Sequence, residues 1–175
     1  MSNKDFDGFV KSLQPQAAES SIDWAKRREE WLRHLEGLYT TIISFLRDYI
    51  QKGEIKTEYH PINLNEEHIG SYQTRKLTLK IGSREIALRP IGTLLIAAKG
   101  RVDVEGPAGK ARFVLVPKDV TGFRVVSGGP EAPAPQPAAA ETEWVWKIAT
   151  YPPTILYKDL TRDTLFEVLM EVTNG

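Results

Sequence analysis

Cysteine is absent from the 175-residue chain, so disulfide bonds, thiol catalysis and cysteine-ligated metal centres are all excluded. Long apolar runs are also missing: stretches such as residues 94–98 fall far short of the roughly 20 residues that a membrane-spanning helix needs. The first residues show no basic and then apolar leader. We therefore expect a cytoplasmic protein that makes no membrane contact.

An excess of charge of either sign is lacking as well, because 23 Lys and Arg residues balance 23 Asp and Glu residues. No overall field attracts nucleic acid or an anionic membrane, although this balance does not exclude a local basic patch. The apolar content is ordinary, at 41% of residues, and is sufficient for a core. We predict a single domain that spans residues 1–175.

The front of the chain predicts an arm, residues 1–19, and then a long amphipathic helix from Ile22 to about Gln51. Apolar residues recur there at intervals of three and four, and they are densest after Leu38. Ser20 or Ser21 is the expected cap. Gly53 is a candidate for the end of the helix, because glycine readily adopts the left-handed backbone found there.

Beyond the helix the apolar period changes to two, which predicts an antiparallel meander of five to six strands. Gly82-Ser83 and the segment 106–109 are the expected hairpin turns, whereas 63–70 is expected to be a loop. Residues 127–141 are rich in Pro and Ala and form a predicted loop within the domain. A last strand around Trp144 follows, and then a short C-terminal helix.

The order of helix, meander and helix predicts an α+β fold: an antiparallel β-meander of five to six strands with a long N-terminal helix and a short C-terminal helix packed on one face. The other face of the sheet is then expected to be wet. Alternate residues of its strands carry charges of both signs, as an antiparallel sheet with one solvated face requires.

A catalytic constellation is hard to find in the sequence. No Gly-x-Ser-x-Gly motif is present, and the three histidines stand far apart. One enzyme hypothesis is a metal-dependent nuclease or hydrolase, in which acidic residues and a lysine on adjacent strands act on water and phosphate. Its residues would be Glu54, Lys56, Asp103 and Glu105. The alternative is that these charges merely alternate along the wet face of two strands.

Basic residues provide the main binding hypothesis, because arginine and aromatic anchors concentrate energy at protein interfaces. Cross-strand ion pairing is the competing interpretation of the strand residues. Trp24 either overhangs the sheet or is covered by residues 6–13. Trp144 and Trp146 either stack on bases or fill a core. The predicted partner-binding residues are Trp24, Arg27, Arg28, Arg84, Arg89, Lys99, Arg101 and Arg112.

In architecture the predicted domain resembles many bacterial immunity and antitoxin proteins. The absence of a catalytic constellation favours a non-enzymatic protein-interaction module, for which we expect no cofactor and no bound metal. The resemblance implies the form of this role in which the module binds and neutralises another protein, such as a toxin. A nucleic-acid-associated protein that uses a basic strand face, and the metal-dependent nuclease or hydrolase, are the alternatives.

Overall fold

A computed structural model describes residues 23–93, 98–120, 123–126, 129–130 and 143–174, with the backbone alone described at 123–126 and 129–130. The predicted arm, residues 1–19, lies outside the described residues. So does the predicted loop 127–141, apart from the short segment at 129–130.

The long helix, α1, runs over Trp24–Phe45, and a five-residue helix, α2, follows at Arg47–Gln51. Asp23 caps α1, since its side chain accepts a hydrogen bond from the Lys26 amide at 3.0 Å. The predicted cap at Ser20 or Ser21 is therefore wrong. Gly53 has the expected left-handed backbone, with a φ of 75°, directly after α2.

A seven-stranded sheet in the order β1-β2-β3-β4-β5-β8-β10 forms the body of the molecule, and all of its neighbouring strands are antiparallel. A small three-stranded sheet has the order β7-β6-β9. The strands are β1 Ile55–Glu66, β2 Gly70–Ile81, β3 Arg84–Gly92, β4 Gly100–Glu105, β5 Lys110–Pro117, β6 Phe123–Val126, β7 Gly129–Pro130, β8 Trp144–Ala149, β9 Thr154–Ile155 and β10 Tyr157–Asp159.

The meander is therefore larger than the predicted five to six strands. The strand added to the predicted set is β10, Tyr157–Asp159. β1 is also longer than predicted, because it continues into the predicted loop at 63–70 as far as Glu66. Pro61 does not interrupt it, because an edge strand tolerates a residue without an N–H. The hairpin turn at Gly82-Ser83 is confirmed, since Ile81 and Arg84 are direct partners in the register. The turn at 106–109 is confirmed by a hydrogen bond from the Gly106 amide to the Gly109 carbonyl.

One face of the large sheet, the helix face, carries both α1 and the C-terminal helix α3, Arg162–Asn174. Alternate strand residues such as Leu79, Leu88 and Val104 are fully buried there against the apolar sides of the two helices. Thr161 caps α3, as its Oγ1 accepts a hydrogen bond from the Thr164 amide at 3.2 Å. The predicted α+β fold with both helices on one face is confirmed.

The opposite face, called here the outer face, is formed by the intervening residues of the same strands. It is not wholly exposed, because a second apolar cluster lies at its β5–β8 end. Ile155 of β9 packs there with Val114, Val116 and Ala149. β9 thus shields one end of the outer face, and charged residues of β1 to β4 lie on the remainder. None of the described helices is both long and apolar enough to pass through a membrane.

Candidate functional site

Three arginines and an aspartate meet on the outer face, on strands β3, β4 and β5. Asp103 is the direct register partner of Arg89 on one side and of Arg112 on the other. Arg101 lies two residues before Asp103 on β4, and it donates hydrogen bonds of 2.6 and 2.9 Å to the two carboxylate oxygens. Together with Tyr151 these residues are called the arginine patch.

The three arginines of the patch differ in the contacts that their side chains make. Arg112 donates a hydrogen bond to the carbonyl of Thr150, and its guanidinium carbon lies 4.9 Å from the centre of the Tyr151 ring. Arg101 is tied to Asp103, with 28% and 16% of the two side chains exposed. Arg89 is half-buried and makes no hydrogen bond or ion pair within the described part of the chain. Its guanidinium therefore has donors to offer to a ligand.

Electrostatics within the patch reflect three guanidinium groups beside the Asp103 carboxylate, with Glu105 near enough to act on Tyr151. Burial, together with the positive charge of Arg101, lowers the pKa of Arg112. Burial raises the pKa of Tyr151, and the negative charge of Asp103 adds to this effect. Tyr151 is 48% exposed, so its neutral ring lies at the surface beside an excess of positive charge. Such a surface can pair with carboxylates in bidentate geometry while an aromatic ring adds apolar contact.

The predicted binding residues at the front of α1 are held by internal contacts. Trp24 stacks on His68, with ring centres 5.1 Å apart. Arg27 lies over the Trp24 ring and donates a 3.0 Å hydrogen bond to the carbonyl of Thr93. Lys99 lies over the ring of Trp144 at 4.4 Å. The contacts of Trp24 and Arg27 attach the front of α1 to the sheet, whereas Lys99, directly before β4, is held against β8. All three side chains therefore have less freedom to bind a partner.

The remaining two predicted binding residues do not join the patch. Arg84 lies on the helix face and reaches the carbonyl of Thr173 in α3 at 3.5 Å. Arg28, on α1, lies near Tyr72, where its charge opposes the rise of the Tyr72 pKa. The predicted set of eight residues is thus spread over the molecule: Arg89, Arg101 and Arg112 come together on the outer face, and Arg27 lies beside Trp24 at the front of α1.

A groove of about 430 Å³ runs beside α1, between the helix and the start of β4. Its lining mixes both signs of charge, with Asp23 and Glu30 opposite Arg27 and Lys99. His34 also lines it, and burial followed by the charge of Arg33 lowers the pKa of His34. No cluster of three or more metal-ligating side chains occurs here or elsewhere in the described ranges.

The residues of the nuclease hypothesis are not brought together. Glu54 directly precedes β1, the edge strand, and Lys56 lies on it. Asp103 and Glu105 lie on β4, and β2 and β3 separate β4 from β1. The three strand spacings between β1 and β4 amount to about 14 Å. Ligands of a shared Mg²⁺ ion must each come within about 2.1 Å of the ion. Asp103 is moreover engaged by Arg101.

Trp146 belongs to the core. Core packing and base stacking are the two alternatives predicted for Trp144 and Trp146. The ring centre of Trp146 is 6.1 Å from that of buried Trp31, and its indole N–H donates to the carbonyl of His34 at 3.0 Å. It cannot serve as a stacking platform for a base while it is packed beneath α1. Trp144 is half-buried beneath Lys99.

A polar network at the tip of the β1–β2 hairpin was missed by the sequence reasoning. Glu66 accepts hydrogen bonds from the Thr93 amide at 2.5 Å, from the Thr93 hydroxyl at 2.9 Å and from the Tyr72 hydroxyl. Burial and the bond to Glu66 raise the pKa of Tyr72 above its usual range. The only available signal was Glu66 in a segment expected to be a loop, and nothing local indicated that Thr93 lies beside it.

Comparison of the chain with protein-family models, with curated proteins and with solved structures finds no match in any of the three.

Proposed function

We propose that this protein is a non-enzymatic interaction module that binds and neutralises a partner protein through the arginine patch. The observation that carries the proposal is the cross-strand row of Arg89, Asp103 and Arg112, with Arg101 and exposed Tyr151 beside it. Arginine and tyrosine are the residues that contribute most to protein interfaces.

The chemistry of the patch indicates what the partner offers. Asp103 neutralises one of its three guanidinium groups, so the patch keeps an excess of positive charge on a chain that is neutral overall. An acidic protein surface would complement that excess and accelerate association through electrostatic steering. The bacterial immunity or antitoxin role is the form of this proposal in which the partner is a toxin.

A co-purification experiment tests the proposal. The tagged full chain is used to capture partners from its native cells, with and without nuclease treatment. Wild type is compared with Arg89→Glu, because Arg89 makes no hydrogen bond or ion pair among the described residues that the change would break. Arg33→Glu is the matched control, since it makes the same change of charge at an exposed position of α1.

We expect a stoichiometric protein that survives nuclease treatment, retention by Arg33→Glu and at least tenfold weaker binding by Arg89→Glu. Release of bound material by nuclease would favour the nucleic-acid alternative instead. If Arg89→Glu and Arg112→Glu both bind the partner as tightly as wild type, the arginine patch is not the binding surface. For the immunity role, the captured protein alone must inhibit growth, and co-expression of wild type, but not of Arg89→Glu, must restore it.

A further inference from the structure

The edge of β1 that faces away from β2 is long and regular. β1 is the terminal strand of the large sheet, and its register with β2 continues for twelve residues without a shift. Within the described residues no strand pairs with its other side. An edge of this length presents a row of backbone donors and acceptors that another strand can complete.

Pro61 indicates which residues direct their backbone groups to that edge. Proline has no N–H, so within a paired strand its nitrogen is tolerated where it points away from the neighbouring strand. Residues of the same parity, Ile55, Thr57 and Tyr59, then direct their N–H and C=O groups outward as well. These three residues precede Pro61, which limits any added pairing to the first half of β1.

The charges of this first half are self-complementary. If a second copy pairs antiparallel about a two-fold axis at Thr57, Lys56 of each copy lies opposite Glu58 of the other. On the helix face, Ile55 lies opposite Tyr59, whose ring is 37% exposed in the single chain. Lys56 is exposed and makes no ion pair with a described residue, whereas Glu58 already lies 3.3 Å from Lys80.

We propose that two copies of this chain associate through β1, antiparallel and centred on Thr57, so that the two large sheets become continuous. The outward residues are those that form hydrogen-bonded pairs in this register: Thr57 with Thr57, and Ile55 with Tyr59. An interface of five residues a side buries less than the roughly 1,200 Å² of a stable complex, so the dimer is weak and depends on concentration. This inference does not rest on binding at the arginine patch.

Charge exchange tests the register. Sedimentation of the full chain over rising concentration is expected to show wild type moving from 19.7 kDa towards twice that mass. Lys56→Glu places two carboxylates opposite each other and keeps the chain monomeric, as does Glu58→Lys with two ammonium groups. The double variant Lys56→Glu/Glu58→Lys restores the complementary pairs and therefore the dimer. Lys110→Glu, an equally exposed position on β5, leaves association unchanged.

Site-specific cross-linking gives a second, independent measurement, since the chain has no cysteine of its own. The two copies of residue 57 are about 5.5 Å apart in the proposed dimer. Those of residue 63, on the same edge, are about 40 Å apart at the rise of an extended strand. A short bismaleimide should therefore join Thr57→Cys chains and leave Asn63→Cys chains single.

Three outcomes would overturn the proposal. The first is a wild-type chain that stays monomeric at every concentration. The second is a double charge variant that fails to dimerise although circular dichroism shows it to be folded. The third is equal cross-linking at positions 57 and 63.

Discussion

The two faces of the large sheet are formed by the same strands, yet they differ in almost every respect. On the helix face the side chains are apolar and fully buried, as at Leu79, Leu88 and Val104. On the outer face many of the alternate side chains are charged and half-exposed, as at Arg89 and Arg101, and apolar side chains are buried only at the end that β9 covers. The period of two along a strand allows one face to supply stability while the other remains free to vary.

This comparison predicts that substitutions on the helix face change the free energy of unfolding, whereas substitutions on the outer face chiefly change binding.

The largest effect is expected from Trp31→Ala. The Trp31 side chain is 2% exposed and packs against Trp146 and over Gly100. Its loss should lower the free energy of unfolding by about 3–5 kcal/mol in a urea titration. Arg89→Ala, on the outer face, should change it by less than about 0.5 kcal/mol. Similar losses for the two variants would abolish the distinction between the faces.

Gly100→Ala should produce the next largest effect, because an added Cβ would lie 2.3 Å from the Trp31 ring. Overpacking of this kind lowers stability by about 1–3 kcal/mol. Gly109→Ala is the matched control, since nothing lies within 4 Å of a Cβ added there. The midpoints of urea unfolding of the two variants measure the difference. Equal midpoints would show that α1 does not press closely on β4.

Asp103→Asn tests how much the outer face contributes to stability and to partner binding. The change removes a carboxylate that accepts two hydrogen bonds from Arg101 in a largely buried pair, so we expect a loss of stability of about 1–3 kcal/mol. It also leaves three arginines without their counter-charge, so any acidic partner should bind more tightly at low salt. Glu143→Gln, which removes an exposed pair with Lys118, should alter neither property. A loss as large as that of Trp31→Ala would show that the patch is structural.

The smallest effect concerns pH and the groove beside α1. Burial lowers the folded-state pKa of His34 below 6.5, so the unfolded chain takes up a proton first as the pH falls. The contribution of His34 to stability is therefore fully present above pH 6.5 and declines as the pH falls from there towards the folded-state pKa. His34→Gln should flatten this part of the stability profile in urea titrations at several pH values. His68→Gln, at an exposed histidine, provides the control. Identical stability profiles for wild type and His34→Gln would show that His34 does not cause the loss of stability below pH 6.5.

Sequence reasoning predicted the elements that local patterns specify. The 3.6-residue period of α1, the alternation in the strands after β1 and the turns at Gly82-Ser83 and 106–109 all correspond to the structure. It failed where a distant contact overrides local preference. The end of β1 was expected to be a loop, but pairing with β2 extends the strand to Glu66, and Thr93 then holds that carboxylate.

The candidate site was predicted only in part, because a list of arginines does not say which of them meet. Arg84 and Arg89 lie on the same strand but on opposite faces, since their positions differ by an odd number. Arg89 and Arg112 are far apart in the chain, yet both are register partners of Asp103. Parity along a strand can be taken from the sequence, but register across strands depends on turn lengths and bulges.

Composition and periods that extend over a few residues are enough to predict an α+β chain without cysteine, with an amphipathic helix ahead of an antiparallel meander. Long-range pairing and packing are needed to bring Arg89, Arg101 and Arg112 around Asp103, to place Glu66 beside Thr93 and to make β1 an edge strand. Each of these depends on residues far apart in the chain, which pairing between strands and packing of the helices bring together.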